Sequence, residues 1–121
     1  MPIEKVNVPE QFERITGYWQ PRIAASLNGQ HVRMAKLKGE FVWHRHDDED
    51  EMFYVVRGRL VIRFRDGDVV LNEGELCVVP RGVEHLPVAE EEVHVLLFEP
   101  AETLNTGNLR NERTVENIDT V

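Results

Sequence analysis

The residues best suited to chemistry in this sequence are two histidines and a glutamate near its middle. His44 and His46 are separated by one residue, and Glu51 follows five positions after His46. Successive side chains of a β-strand point to opposite faces, so this spacing predicts that both imidazoles face the same space. The pattern alone leaves two hypotheses open, namely the beginning of a metal site or two partly exposed surface histidines.

A fourth candidate, His85, lies thirty-four residues after Glu51 and follows the turn-forming stretch 80–82. A barrel could bring His85 opposite the first two histidines. Three imidazoles and one carboxylate would form a mixed nitrogen and oxygen ligand set. Such a set suits one divalent transition metal ion (Fe, Mn, Ni, Co, Cu or Zn) and is too rich in nitrogen for Ca or Mg.

The first part of the chain predicts a helix and then a hairpin. Asn7 can cap a short helix that has Pro9 in its first turn, and apolar residues recur after it at helical spacing. Residues 1–20 are therefore interpreted as this helix and its lead-in. Alternating stretches at 22–27 and 31–38 flank the turn pair Asn28-Gly29, which is typical of a β-hairpin.

Short strand-like stretches and turn signals alternate through the rest of the chain up to residue 100. Helices would need longer uninterrupted runs, so the pattern favours an all-β sandwich or barrel over residues 21–100. Residues 101–121 are polar, and we expect a C-terminal arm that is either a tail or packed on a partner. The predicted strands after the hairpin cover residues 41–46, 51–57, 59–65, 68–71, 76–79 and 93–98.

Two sequence motifs resemble those of the cupins, a family of small β-barrel proteins. The first motif, glycine, His-any-His, glutamate and glycine, corresponds here to Gly39, His44, His46, Glu51 and Gly58. The second motif corresponds to Gly74, Pro80, Gly82 and His85, with Ala89 at the position of its final asparagine. The resemblance covers roughly residues 30 to 100.

The resemblance implies a double-stranded β-helix, or jelly-roll, barrel with a short N-terminal helix. It also implies one metal ion held by His44, His46, Glu51 and His85. Within this family the chain would be a metal-dependent enzyme of dioxygenase or isomerase type that acts on a small polar molecule. The alternative is a non-catalytic cupin that binds or senses a small molecule. Cupins of this size commonly pair, so we expect a homodimer.

The parity of the predicted strands gives candidates for the wall of a pocket. If His44 and His46 face inward, Val42 does so too, and Phe53 follows from Glu51 by the same alternation. The remaining pocket candidates are Met34, Lys36 and His94. No general base stands out among these residues, so the catalytic residues stay unknown at this point.

Composition limits the classes of partner. The chain has 121 residues, which is most simply one domain, and a formal net charge of −8. Because nucleic acids and anionic membranes are recognised by clustered Lys and Arg, we expect neither as a partner. The single cysteine, Cys77, and the lack of an apolar stretch near the first residues lead us to expect a cytoplasmic protein.

Overall fold

The computed structural model describes residues 2–121. These residues form one short helix and seven strands, and all the strand pairs are antiparallel. The all-β class with a short N-terminal helix is therefore confirmed. The elements are α1 (Val8–Arg14), β1 (Arg22–Leu27), β2 (Gln30–Glu40), β3 (Glu51–Arg57), β4 (Leu60–Phe64), β5 (Gly67–Leu71), β6 (Leu76–Val79) and β7 (His85–Pro100).

The long strand β7 is the centre of the sheet. The strands run in the order β1-β2-β7-β3-β6, and β4 branches from β7 and carries β5. The first residues of β7, from His85 to Val88, pair with β4, whereas its later residues pair with β3. The strand β2 pairs with almost the whole of β7. The two halves of the barrel therefore share one continuous strand, with His85 at its beginning.

The helix α1 covers part of the outer surface of the barrel. The side chain of Asn7 accepts a hydrogen bond from the backbone N–H of Glu10 at 3.0 Å, which caps the helix as the sequence predicts. Phe12 is buried and packs with Ile15 and Met34 in a small apolar cluster. This cluster is separate from the main core inside the barrel, whose fully buried members include Val55, Leu60, Ile62, Val93 and Val95.

Two strand predictions need correction. Residues 41–46 form no regular strand and make only one isolated bridge, between His44 and His85. The last predicted strand, 93–98, is part of the much longer β7, which includes the exposed acidic run 90–92. Acidic residues are rare in buried strands, but here their side chains face solvent at an irregularity where the pairing of β7 with β2 shifts between Ala89 and Val93. The hairpin and the strands beginning at 51, 59, 68 and 76 are confirmed to within a residue or two.

The C-terminal arm, residues 101–121, packs on the barrel of its own chain. Thr103 and Thr106 are buried, and Ile23 of β1 forms a parallel bridge with Thr120. The guanidinium of Arg33 donates hydrogen bonds of 2.8 Å to the carbonyls of Ala101 and Thr103. Across residues 2–121, no helix combines the length and the apolar character needed to cross a bilayer.

Candidate metal centre

The four candidate ligands come from different parts of the fold and meet inside the barrel. Glu51 is the first residue of β3 and His85 is the first residue of β7. The backbones of His44 and His85 exchange two hydrogen bonds of 3.1 and 2.8 Å, which fix these two residues side by side. The carbonyl of His46 accepts a hydrogen bond of 2.8 Å from the N–H of Gly82, in the turn before β7.

The side chains of these residues form a compact cluster. One ligating atom from each of His44, His46, Glu51 and His85 lies within 4.8 Å of all the others. None of the four residues is more than 3% exposed. The sequence prediction that His85 approaches the first two histidines is thus met by the geometry, since its ring centroid lies 4.3 Å from that of His44 and 5.7 Å from that of His46.

Two of the histidines are oriented by backbone carbonyls. The Nδ1 atom of His44 lies 2.9 Å from the carbonyl of Val42, and that of His85 lies 2.9 Å from the carbonyl of Val83. A carbonyl only accepts, so each Nδ1 carries the proton and each Nε2 keeps a free lone pair. Hydrogen bonds of this kind are the usual way in which proteins orient metal-binding imidazoles.

The polar atoms at the centre of the cluster lack hydrogen-bond partners. They include both ring nitrogens of His46, Nε2 of His85 and Oε1 of Glu51. Glu51 Oε1 lies 3.4 Å from His46 Nε2 and 3.5 Å from His85 Nε2. Buried polar atoms without partners cost about 1–3 kcal/mol each, so several of them converging on one point need an explanation. A transition metal ion at that point would satisfy them, and the donor set suits such an ion.

The pKa values of His44 and Glu51 also suit a metal ion. Burial and the neighbouring His85 lower the pKa of His44 to about 4, so its imidazole is neutral at neutral pH. Burial alone would raise the pKa of Glu51, but the neighbouring side chains of Glu99, His46 and His85 outweigh it and hold that pKa well below its usual range. Burial would lower the pKa of His46, but Glu51 beside it leaves that pKa raised.

The chain matches the family model described as "Cupin domain" over residues 30–99. The chain belongs to the cupin family. The match extends over more than half of the chain and contains all four candidate ligands. Cupins commonly bind a metal ion through such residues, so the buried cluster could hold one here. The double-stranded β-helix, or jelly-roll, architecture that the sequence motifs imply is confirmed by the fold and by the cupin structures that resemble it.

Two solved structures resemble this cupin over most of its length. A cupin-2 domain containing protein from Shewanella frigidimarina is 43% identical, with a TM-score of 0.77, and the match covers 78% of this chain and 93% of that one. Protein NMB1881 from Neisseria meningitidis is 33% identical, with a TM-score of 0.74 and coverages of 81% and 100%. The protein YdbB of Bacillus subtilis is 39% identical over 62 residues, and this match spans about half of each chain, 50% of this cupin and 55% of YdbB.

A buried ion pair stands behind the candidate ligands of this cupin. Arg33 is fully buried, and its Nη1 donates to Glu99 Oε1 at 2.9 Å. Burial and the adjacent carboxylate of Glu51 raise the pKa of Glu99 well above its usual range, while Arg33 acts in the opposite direction. Glu99 and Glu51 each shift the pKa of the other, so the pair links a candidate ligand to the C-terminal arm that Arg33 holds.

The sequence reasoning missed this pair, although the sequence contains a signal for it. Glu99 continues the alternating series Val93, Val95 and Leu97, all of which are buried. Arg33 likewise shares the inward face of β2 with Ala35 and Leu37. A charged residue at an inward position of a buried alternating strand predicts a buried partner of opposite charge.

A cavity of about 40 Å³ adjoins the cluster in this cupin. His44 and Glu51 line it where it meets the cluster, and the rest of the lining includes Ala35, Leu37, Phe53 and Leu97. Phe53, a pocket residue predicted from the sequence, therefore lines the cavity. Val42 is half-buried against the core, outside the lining, and contributes its carbonyl to His44. Val42 does not face the cavity as predicted, because residues 41–46 do not form a regular strand with strict alternation. Phe41 lines the cavity together with His44 instead.

Three predicted pocket residues, Met34, Lys36 and His94, lie outside this cavity. Met34 packs under α1, and Lys36 shares its outward face of β2 by alternation. The ring of His94 stacks on that of Phe12 at 4.5 Å, also on the outer face. Alternation along β2 predicted the wrong face for the cavity, because both faces of this strand are buried here. One face packs in the barrel core and the other packs against α1. Ala35 and Leu37 occupy the positions predicted for Met34 and Lys36.

The C-terminal arm braces the segment that carries two candidate ligands. Asn108 donates its N–H to the carbonyl of Arg45 and accepts the N–H of Arg45 on Oδ1, both at 2.9 Å. Arg45 is the residue between His44 and His46. Since that segment belongs to no regular strand, these bonds are a main constraint on the positions of both imidazoles.

Gly107 allows this close approach, which gives a prediction. Its φ is +59°, and a Cβ there would lie 2.1 Å from the carbonyl oxygen of Arg45 and 3.2 Å from Cδ2 of His44. We expect Gly107→Ala to push the arm away and to lower the metal affinity about 10- to 100-fold, as for other residues that orient metal ligands. A competition titration with a chromogenic chelator would measure the change.

Gly29→Ala is the matched control for this substitution. Gly29 also has a positive φ, +74°, but a Cβ there meets no atom within 4 Å. It should lose stability from the backbone conformation alone and keep its metal affinity. Equal metal affinity in the two variants would contradict the bracing role of the arm.

The depressed pKa of His44 predicts a pH dependence of stability in the metal-free protein. The usual pKa of 6.5 falls to about 4 on folding, so the unfolded chain binds more protons between these values. The stabilisation is therefore complete above pH 6.5 and is lost as the pH falls toward 4. At about 1.4 kcal/mol per pKa unit, the loss in unfolding free energy is about 3 kcal/mol.

Urea unfolding of the metal-free protein at pH 7 and pH 4 would measure this loss, with His44→Asn as the comparison. His46 has a raised pKa, so its contribution has the opposite sign, being present at low pH and lost as the pH rises through its folded pKa. Because both proteins contain His46, the difference between them isolates His44. The same pH dependence in both proteins would contradict the assignment.

Proposed function

We propose that this cupin holds one divalent transition metal ion through His44, His46, Glu51 and His85 and uses it to catalyse a reaction of a small molecule. The reaction classes are those of the dioxygenases and isomerases of the family. The observation that carries the proposal is the set of buried nitrogen and oxygen atoms that converge on one point without hydrogen-bond partners. A bound ion would polarise a ligand oxygen and stabilise the charge that develops on it.

The protein residues around the site support such a role. Burial of the four ligands in the barrel keeps bulk water away, which strengthens electrostatic interactions at the site. The cavity adjoins His44 and Glu51, so a small molecule in it would lie beside the ion. Arg33 and Glu99 form an ion pair beside Glu51, and Asn108 holds the segment that carries His44 and His46.

A second candidate function is that of a non-catalytic cupin that binds or senses a small molecule. One observation favours it. Among the described residues that line the cavity, His44 and Glu51 are the only ones with a titratable side chain, and both are assigned to the ion. A reaction that needs a separate general base would therefore lack one at this position.

Turnover experiments distinguish the two candidates. The protein would be purified, freed of metal, and loaded in turn with Fe, Mn, Co, Ni, Cu and Zn. Oxygen uptake or product formation from a panel of small molecules, dependent on the ion and lost in His85→Ala, would support the enzyme. Saturable binding that raises the melting temperature, without product under any ion, would support the sensing role.

We also propose that the protein is a cytoplasmic homodimer. The edge strand β6 presents Leu76 and Val78, each 54% exposed, and the edge strand β5 presents Val69 and Val70. An apolar edge of this kind is normally covered by a partner. Light scattering of the purified protein should give twice the monomer mass of 14.0 kDa, whereas a monomer at micromolar concentration would contradict the dimer.

A further inference from the structure

The cavity beside the candidate metal centre has polar groups at one end only. Stacked rings of Trp19 and Phe41, 4.7 Å apart, continue the apolar wall that Ala35, Leu37, Phe53 and Leu97 form. A ligand with hydroxyl groups along its length would lose hydrogen bonds to water there without replacement. Each such group would cost about 1–3 kcal/mol. The wall therefore disfavours sugars and polyols.

The polar residue contributed by the arm does not change this conclusion. Asn105 lines the cavity, but its Nδ2 already donates to the carbonyl of Arg113 at 2.7 Å and its Oδ1 accepts the N–H of Val115 at 2.8 Å. The Nδ1 of His44 is likewise engaged with Val42. Among the residues that line the cavity, the buried polar atom that still needs a partner is Oε1 of Glu51, in the metal cluster.

The size of the cavity limits the body of the ligand. Its volume is about 40 Å³, a few times the 10–15 Å³ that one water molecule needs. The cavity therefore has room for a short chain of about three or four carbons.

The charge at the metal end favours an anionic head group. A divalent ion with three neutral imidazoles and the Glu51 carboxylate leaves one uncompensated positive charge in a buried place. An isolated buried charge is costly unless it is paired. A carboxylate on the ligand would neutralise it and supply oxygen atoms to the ion.

Resting on the proposed metal centre, we infer that this cupin binds a short-chain carboxylate, whose carboxylate meets the ion and whose apolar chain of about three or four carbons fills the cavity. This class of ligand is narrower than the small polar molecule expected from the sequence motifs. Its members have a polar head group but no polar groups along the chain.

Calorimetric titration of the cobalt-loaded protein tests the inference, with the visible absorption of Co(II) as a second readout of binding at the ion. The probes are butyrate, 4-hydroxybutyrate, which adds one hydroxyl group at the far end of the chain, and 1-butanol, which lacks the carboxylate. We expect butyrate to bind at least tenfold more tightly than either and to change the cobalt spectrum.

A change of chain length tests the cavity itself. Leu37→Ala removes part of the wall and enlarges the cavity, so it should shift the binding preference from butyrate toward hexanoate. Leu60→Ala is the matched control, because Leu60 is fully buried in the same core but lies outside the cavity lining. It should keep the wild-type preference.

The possible failures are distinguishable. Protein that takes up no cobalt would overturn the proposed function and this inference with it. Protein that holds cobalt but binds 4-hydroxybutyrate as tightly as butyrate, or keeps one chain-length preference in both leucine variants, would overturn the inference alone.

Discussion

His46→Ala is expected to abolish stoichiometric metal binding by this cupin. Both ring nitrogens of His46 are buried without a hydrogen-bond partner, and Glu51 Oε1 lies 3.4 Å from one of them. Loss of a direct ligand should exceed the 10- to 100-fold effect of residues that only orient ligands. Elemental analysis after dialysis against the metal should therefore give about one ion per chain for the wild type and close to none for the variant.

His94→Gln is the matched control for this loss. His94 was a candidate from the sequence, but it lies on the outer face against α1, and its Nε2 is 2.7 Å from Glu92 Oε2. It should bind one ion per chain. Metal should also raise the melting temperature of this control and of the wild type, because an ion at 100 times its dissociation constant stabilises the folded state by about 2.7 kcal/mol. Unchanged metal content in His46→Ala would contradict the assignment of His46.

Arg33→Met is expected to produce the largest loss of stability. Arg33 is fully buried and makes hydrogen bonds of 2.8 to 2.9 Å to Glu99 and to two carbonyls of the C-terminal arm. Removal of one partner of a buried ion pair leaves an uncompensated group and costs about 3–5 kcal/mol. Urea unfolding at pH 7 should show this loss, and the arm should become more susceptible to proteolysis.

The double variant Arg33→Met/Glu99→Gln separates the contribution of the ion pair to stability from the contribution of side-chain packing. If the penalty comes from an unpaired carboxylate, removal of that carboxylate should restore part of the lost stability. Arg63→Met is a control at an exposed pair, since Arg63 Nε is 3.7 Å from Asp68 with both side chains about half exposed. It should change stability by less than about 1 kcal/mol. An equally small effect at Arg33 would contradict the role of the buried pair.

Much of the fold can be predicted from local sequence patterns. Asn7 and Pro9 begin the helix, and Asn28-Gly29 turns the first hairpin, because these residues favour those backbone conformations wherever they occur. The candidate ligands are also readable from the sequence, because the spacing of His44, His46 and Glu51 and the turn before His85 reflect the barrel that positions them.

The pocket residues could not be predicted in the same way. Which side of a strand faces the cavity depends on what packs against each side, and the alternation of apolar residues alone does not show this. Met34 and Ala35 are both buried, one under α1 and one inside the barrel, so the apolar pattern of β2 does not distinguish its inner face. The parity of Val42 fails because the 41–46 segment takes its hydrogen bonds from His85, Gly82 and the arm instead of a continuous partner strand. The role of Asn108 is hidden for the same reason, since it depends on a contact between distant parts of the chain.

The most direct test of the metal centre is anomalous diffraction from crystals of the metal-loaded protein, measured on both sides of the absorption edge of the ion. The account predicts one strong anomalous peak inside the barrel, about 2.0–2.2 Å from Nε2 of His44, Nε2 of His85, a ring nitrogen of His46 and a carboxylate oxygen of Glu51. A fully loaded crystal with its peak elsewhere, and none among these four side chains, would contradict it.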